Sequence, residues 1–263
     1  MIGDGGLSMV DMRTFLKVKE KYGFHASWAI WGDFGSRPKD NMDDLSIFEE
    51  EKIYPNLGIM HTHFVLVGLN ISTASITKKL SNFHGRNGEI YKVRYALHQT
   101  PLWGAYMTDI LKDFSEAKSE KIPPFLKTDK GTALLGKNLE EFDSELALIS
   151  ARHATLVAFG DIVHNILVEN YSRTINIIKI PHYGWQVNKE VYRERVHAIL
   201  NENEITPLSA ERSGGAVSDK MQEDKFTWKE GDLILVEKGE GPTLQELLDE
   251  DQRNNPEDRF ASS

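Results

Sequence analysis

The sequence predicts an α/β protein with a three-layer α/β/α arrangement around a central, mainly parallel sheet of four strands. Two observations carry that prediction. Short apolar runs at 64–67, 103–110, 155–159 and 174–180 alternate with stretches whose apolar residues recur at helical spacing. The runs show little polar alternation, as expected of strands covered on both faces, and the helices between them serve as crossovers that make neighbouring strands parallel.

Asp11 is placed to cap a first helix with Met12, Phe15, Leu16 and Tyr22 on one face, and Gly23 closes it. The segment 25–31 is densely apolar, and its two tryptophans read as core. Residues 32–51 carry turn signals at Gly32, Gly35, Pro38 and Asn41 and clustered acids. Asp43 and Asp44 there read first as part of a solvated acidic loop and second as a metal or catalytic pair. Residues 76–100 read as a short helix followed by a long basic loop, a type of segment that is usually functional or disordered. Pro123 and Pro124 open a connection to a helix capped near Asn138, which buries Leu139, Phe142, Leu146 and Ile149. Gly160 turns the third strand into a helix at 161–171. The fourth strand runs into Pro181-His182-Tyr183-Gly184-Trp185 and a helix at 188–200 capped by Asn188.

Beyond Glu204 the composition turns polar and acidic. Three regions result: an N-terminal helix-and-loop extension packed on the core (1–60), an α/β core (61–204), and an acidic C-terminal appendage (205–263), partly disordered and a candidate surface for a protein partner.

The chain has no cysteine, which excludes disulfides, zinc-thiolate sites, iron–sulfur clusters and a cysteine nucleophile, and fits a reducing cytoplasm. No apolar run approaches the length of a membrane span, and the start, MIGDGGLSMVDM, lacks the basic region of a signal peptide. The expectation is a cytoplasmic protein without a membrane partner. Of the net charge of −9, residues 205–263 carry −7, from seven Lys/Arg against fourteen Asp/Glu, which leaves −2 for residues 1–204. Lys78, Lys79, Arg86, Lys92 and Arg94 stand against the single acid Glu89, and such a cationic stripe suits either a phosphate backbone or plain solvent.

Ligands of an open α/β sheet bind outside the carboxyl ends of its strands, so the predicted topology brings Asn70, Asp109, Gly160 and His182 onto one rim. The first strand ends in Gly68, which permits close backbone approach, then Asn70, then Ser72, Thr73 and Ser75, hydroxyls suited to a phosphate at a helix start. Taken singly, Asn70 also fits a turn residue, His182 a hydrogen-bonded structural histidine, and Asp109 a cap. His61 and His63 share a strand face but lack a third ligand in view, and no Gly-x-x-x-x-Gly-Lys stretch supports a phosphate-binding P-loop.

In their order along the chain these motifs resemble the uracil-DNA glycosylase superfamily over about residues 60–200. Gly68-Leu69-Asn70-Ile71-Ser72-Thr73-Ala74-Ser75 is similar to the Gly-Ile-Asn-Pro-Gly stretch and following hydroxyls of the mismatch-specific branch. Asp109 stands where a later family strand ends in an Asn that reads the base, and His182 opens the last motif. Ile71 replaces the family's Pro, and Tyr183-Gly184 replaces its usual Pro-Ser.

The resemblance implies a monofunctional DNA glycosylase that hydrolyses the bond between a flipped-out base and its sugar and needs no cofactor or metal. Asn70 would hold the attacking water and His182 would donate to the departing base. Asp109, Gly68, Leu69 and Tyr183 would form the base pocket, and Ser72, Thr73, Ser75, Lys78, Lys79 and Arg86 would grip DNA phosphates. An ionised Asp109 accepts hydrogen bonds, so it suits an amino-bearing or modified base, such as a modified cytosine of phage DNA, and hence base excision in antiviral defence. The alternatives are a catalytically inactive nucleic-acid or nucleotide-binding protein with the same fold, and an interaction module whose basic loop meets an acidic protein.

Overall fold

The computed structural model describes residues 10–71, 76–85, 88–112 and 114–205. The acidic appendage beyond Ile205, the hydroxyls Ser72, Thr73 and Ser75, and Arg86 therefore lie outside the described residues.

The sheet has five strands where the sequence pattern predicts four. The first, β1 (Ala26–Trp28), is only three residues long and too short to print a period, and it pairs antiparallel with β3 at the sheet edge. The other four, β2 (His61–Asn70), β3 (Ala105–Leu111), β4 (Thr155–Phe159) and β5 (Ile177–Ile180), run parallel, and the sheet order is β1-β3-β2-β4-β5. The predicted 174–180 strand starts later because the N–H groups of Thr174 and Ile175 both bond to the Tyr171 carbonyl, in the turn that ends the preceding helix.

Seven α-helices accompany the sheet among the described residues: α1 (Met12–Lys21), α2 (Glu50–Leu57), α3 (Tyr91–Leu97), α4 (Ile122–Leu126), α5 (Asp129–Leu148), α6 (Asp161–Tyr171) and α7 (Lys189–Glu202). One face of the sheet packs on α1, α5 and α6 through Phe15, Val18, Phe142, Leu146, Val163 and Leu167. The other packs on α3 and α7 through Val93, Leu97, Tyr192 and Val196. Strand alternation divides β2 between them, with Val65 and Val67 on the first face and Leu66 on the second. Helices on both faces of a mainly parallel sheet are the architecture that the sequence pattern predicts.

Local signals set the helix ends. Asp11 caps α1 by accepting from Thr14 N–H at 2.6 Å, and Asn188 caps α7 by accepting from Val191 N–H at 2.8 Å. Asn188→Ala is expected to cost about 1 kcal/mol, read as a lowered urea midpoint with an unchanged slope. The predicted cap at Asn138 is corrected: Thr128 caps α5, and Asn138 sits buried in mid-helix, where its Oδ1 accepts from the Lys112 N–H at 2.7 Å. In the predicted 76–100 segment the helix comes at the end, as α3, because Ile90, Val93, Ala96 and Leu97 give it a face to bury. The acidic loop at 32–51 likewise gives way at Glu50 to α2, which carries Pro55 inside it.

The tryptophans of the 25–31 segment are core, as expected: Trp28 and Trp31 are buried, Trp28 edge-on to Tyr106 at 5.0 Å. No described helix is long and apolar enough to cross a membrane.

Candidate active site

The strand order reverses direction at β2, whose successors β3 and β4 lie on its two sides. The crevice beyond its carboxyl end is where such sheets bind ligands. Gly68 and Asn70 lie within the last residues of β2 rather than past its end, and Gly160 follows β4.

Gly68 pairs with Asp109 across β2 and β3, and any Cβ on it would collide with Asp109 Oδ1 and sit 3.3 Å from the Phe83 ring. The glycine is therefore required by the carboxyl beside it. Asp109 is buried, and its Oδ2 accepts from Asn82 Nδ2 at 2.7 Å, the same amide nitrogen donating to the His25 carbonyl at 2.9 Å. Burial pushes the Asp109 carboxyl up to about 7, against the pull of the Asn82 hydrogen bond and of Lys112. This carboxyl changes charge near neutrality, so it can accept or donate a hydrogen bond.

On the opposite face of the sheet a second buried cluster lies under the same strand end. Glu145 of α5 accepts from Tyr106 Oη at 2.6 Å, Thr108 Oγ1 at 2.9 Å and Lys112 Nζ at 2.5 Å, and Lys112 Nζ also donates to the Asp109 carbonyl at 2.9 Å. Lys112 and Glu145 thus pin the backbone of Asp109 from below.

Gly160, at φ +83°, lets the loop after β5 close over the end of β4; a Cβ there would lie 3.1 Å from that of His182. The loop is tied down at several points: Tyr192 Oη donates to the Pro181 carbonyl at 2.8 Å, the Trp185 N–H to the His182 carbonyl at 2.9 Å, and Lys92 Nζ to the Trp185 carbonyl at 2.8 Å. His182 is exposed on this loop. Its Nδ1 accepts from the Gly184 N–H at 3.0 Å, so in the neutral ring the proton sits on Nε2 and that nitrogen is the donor. The protein around the ring lowers its pKa by desolvation, which favours this neutral form. Tyr183 stacks on the His182 ring at 4.2 Å and meets Phe159 edge-on at 5.6 Å. Burial raises its phenol pKa, and the nearby Asp109 raises it further, so Tyr183 remains a neutral donor.

Asn70 pairs with Leu111, two residues beyond the Gly68–Asp109 pair. Its Nδ2 donates to the carbonyls of Glu116 at 2.9 Å, Ile71 at 3.1 Å and Phe114 at 3.3 Å, which fixes the amide orientation and directs Oδ1 away from those carbonyls.

Comparison of the chain with protein-family models, with curated proteins and with solved structures finds no match. The site stands on its own geometry.

Of the residues that the sequence nominates, the fold brings together Gly68, Asp109 and Tyr183, with His182 stacked on the last. Leu69 goes elsewhere: strand alternation turns its side chain into the core on the α1, α5 and α6 face. The cationic stripe is also corrected in part. Lys92 is buried against Glu89 at 2.8 Å, and Arg94 is buried with Nη2 donating to the Asp40 carbonyl at 2.8 Å, so both are internal staples. Lys78 is exposed, and Lys79 pairs with Glu20 beside the exposed Phe24 ring.

Asn82 and Gly184 are functional candidates that the sequence reading misses. Asn82 acts through its bonds to Asp109 and the His25 carbonyl and Gly184 through its N–H to His182, and no residue type or spacing announces them. His61 and His63 lie at the far end of β2, rings 5.6 Å apart, with His61 held at about 4 by burial and near the Trp103 carbonyl; no third metal-ligating side chain joins them among the described residues. A cleft of about 460 Å³, lined by Gly35, Arg37 and Asp40, also lies away from the rim, in the segment that follows antiparallel β1.

Proposed function

We propose that the chain is a DNA glycosylase of the uracil-DNA glycosylase type, acting on a flipped-out base at the β2–β4 crevice. The observation that carries this reading is the fixed tautomer of His182. Its Nε2–H is the donor on a tied loop, and the ring stacks on Tyr183, which neighbours the buried Asp109 carboxyl.

Hydrolysis of the base–sugar bond breaks C1′–N, and the electron pair leaves with the base. The His182 Nε2–H meets the developing negative charge, and the ring donates in its neutral form, which desolvation by the surrounding protein favours. Water held on Asn70 Oδ1 adds to C1′ and releases its proton to solvent; the three carbonyl bonds of Nδ2 leave that oxygen as the acceptor. Asn is a weak base, so the site works by orientation and by charge stabilisation on the leaving base. Asp109 Oδ1, over Gly68, meets the polar edge of the base, and as a carboxylate it suits an amino-bearing ring, with a modified cytosine of phage DNA the substrate this chemistry fits. Lys78, exposed in the segment after β2, would meet the flanking phosphate.

The test is incubation with DNAs carrying uracil, mismatches, hydroxymethylcytosine or glucosylated hydroxymethylcytosine, followed by alkali. Strand breaks with one substrate that vanish in Asn70→Ala are expected; binding without breaks would favour a second reading, a nucleic-acid reader of the same fold. Three structural bonds to the Asn70 amide favour that second reading.

A further inference from the structure

The carboxyl of Asp109 is held unequally. Oδ2 is taken by Asn82, whose Nδ2 is itself anchored on the His25 carbonyl, while Oδ1 lies over the bare Cα of Gly68, beside the Phe83 ring. We propose that Asn82 is the positioning residue that sets base selectivity, by clamping Asp109 Oδ2 so that Oδ1 alone meets the polar edge of the bound ring. This rests on the glycosylase reading of the same site.

A reader reduced to one oxygen has two states. Ionised, Oδ1 accepts from a ring amino group; protonated, it donates to a ring carbonyl. The carboxyl changes state near pH 7, so one pocket passes from keto-bearing to amino-bearing bases as pH rises through neutrality. The charged and titratable groups that act on it are Lys112, one residue past the end of β3, Glu145 from α5 on the other face of the sheet, and Tyr183 from the loop after β5, with His182 stacked on that ring. Of these, Lys112 favours the ionised form and Glu145 opposes it. The Asn82 N–H bond also favours the ionised form, so removing it moves the titration to higher pH.

The experiment measures release of cytosine-type and uracil-type bases from otherwise identical oligonucleotides between pH 5.5 and 8.5, and takes the ratio of the two rates. Both substrates meet the same His182, so its titration cancels from the ratio. For the wild type the ratio is expected to rise toward the amino-bearing base by on the order of tenfold per pH unit. In Asn82→Ser the pH of equal release shifts upward; in Asp109→Asn the ratio becomes independent of pH. A flat ratio in the wild type, or an Asn82→Ser protein that slows both substrates equally without moving the crossover, would overturn the proposal. Should the wild type release neither base, the glycosylase reading fails on its own. Fluorescence-anisotropy binding of the same two oligonucleotides at the same pH values then decides the role of Asn82, a pH-dependent ratio of affinities supporting it and a flat one overturning it.

Discussion

Lys112→Ala is expected to lose about 3–5 kcal/mol of folding stability, the loss typical of breaking a buried ion pair from one side. Lys112 and Glu145 are both buried, and Glu145 is wholly sealed from solvent. Without the ammonium group, the carboxylate keeps only the hydroxyls of Tyr106 and Thr108 as donors, too few to replace a counter-charge in a low-dielectric core. Lys112 also loses its bond to the Asp109 carbonyl and its place over the Tyr22 and Phe142 rings. The double replacement Lys112→Met with Glu145→Leu is expected to recover much of the loss, because it removes both charges and keeps the volume. Urea unfolding of the three proteins measures this. A single-variant loss below about 1 kcal/mol would mean that the pair is solvated in a way its burial does not allow.

His182→Ala is expected to slow base release by about 10²–10³-fold, the usual cost of one donor to a developing anion, with DNA affinity changed far less. On the proposed glycosylase reading the ring meets the departing base through Nε2, so the loss falls on the chemical step and reads as a drop in kcat at nearly constant KM. Gly184→Pro removes the N–H that Nδ1 accepts and, because a Cβ at 184 would lie 2.9 Å from that nitrogen, also displaces the ring, so it is expected to slow release about as much as His182→Ala. Equal rates for wild type and His182→Ala would remove this histidine from the reaction.

Much of the architecture is legible in the sequence where local chemistry decides it. The apolar runs at 64–67 and Thr155–Phe159 become central parallel strands because their residues suit burial on both faces. Asp11 and Asn188 act as caps because a short polar side chain before an amphipathic stretch has free N–H groups to accept from. Gly160 turns because its φ is positive. What the sequence conceals is decided by distant partners. The strand Ala26–Trp28 exists because β3 offers an edge 80 residues away. Lys92 and Arg94 read as surface cations, yet the Trp185 and Asp40 carbonyls draw them into the core.

The site divides along the same line. Gly68, Asp109 and His182 are visible as residue types at strand ends, and the fold places them on one rim. Asn82 lies 27 residues from the carboxyl it clamps, and the loop that carries it shows only turn residues and positive charge. Leu69 looks like part of the motif because it stands between Gly68 and Asn70, and the two-residue period of the strand sends it to the opposite layer.

The most direct measurement is single-turnover release of free base, followed by chromatography, with the chain in excess over each DNA of the panel. The account predicts that the wild type frees one base and leaves an intact abasic strand, and that Asn70→Ala binds the same DNA and frees none. An Asn70→Ala protein that releases base as fast as the wild type, or a wild type that binds DNA and frees no base from any member of the panel, would contradict it.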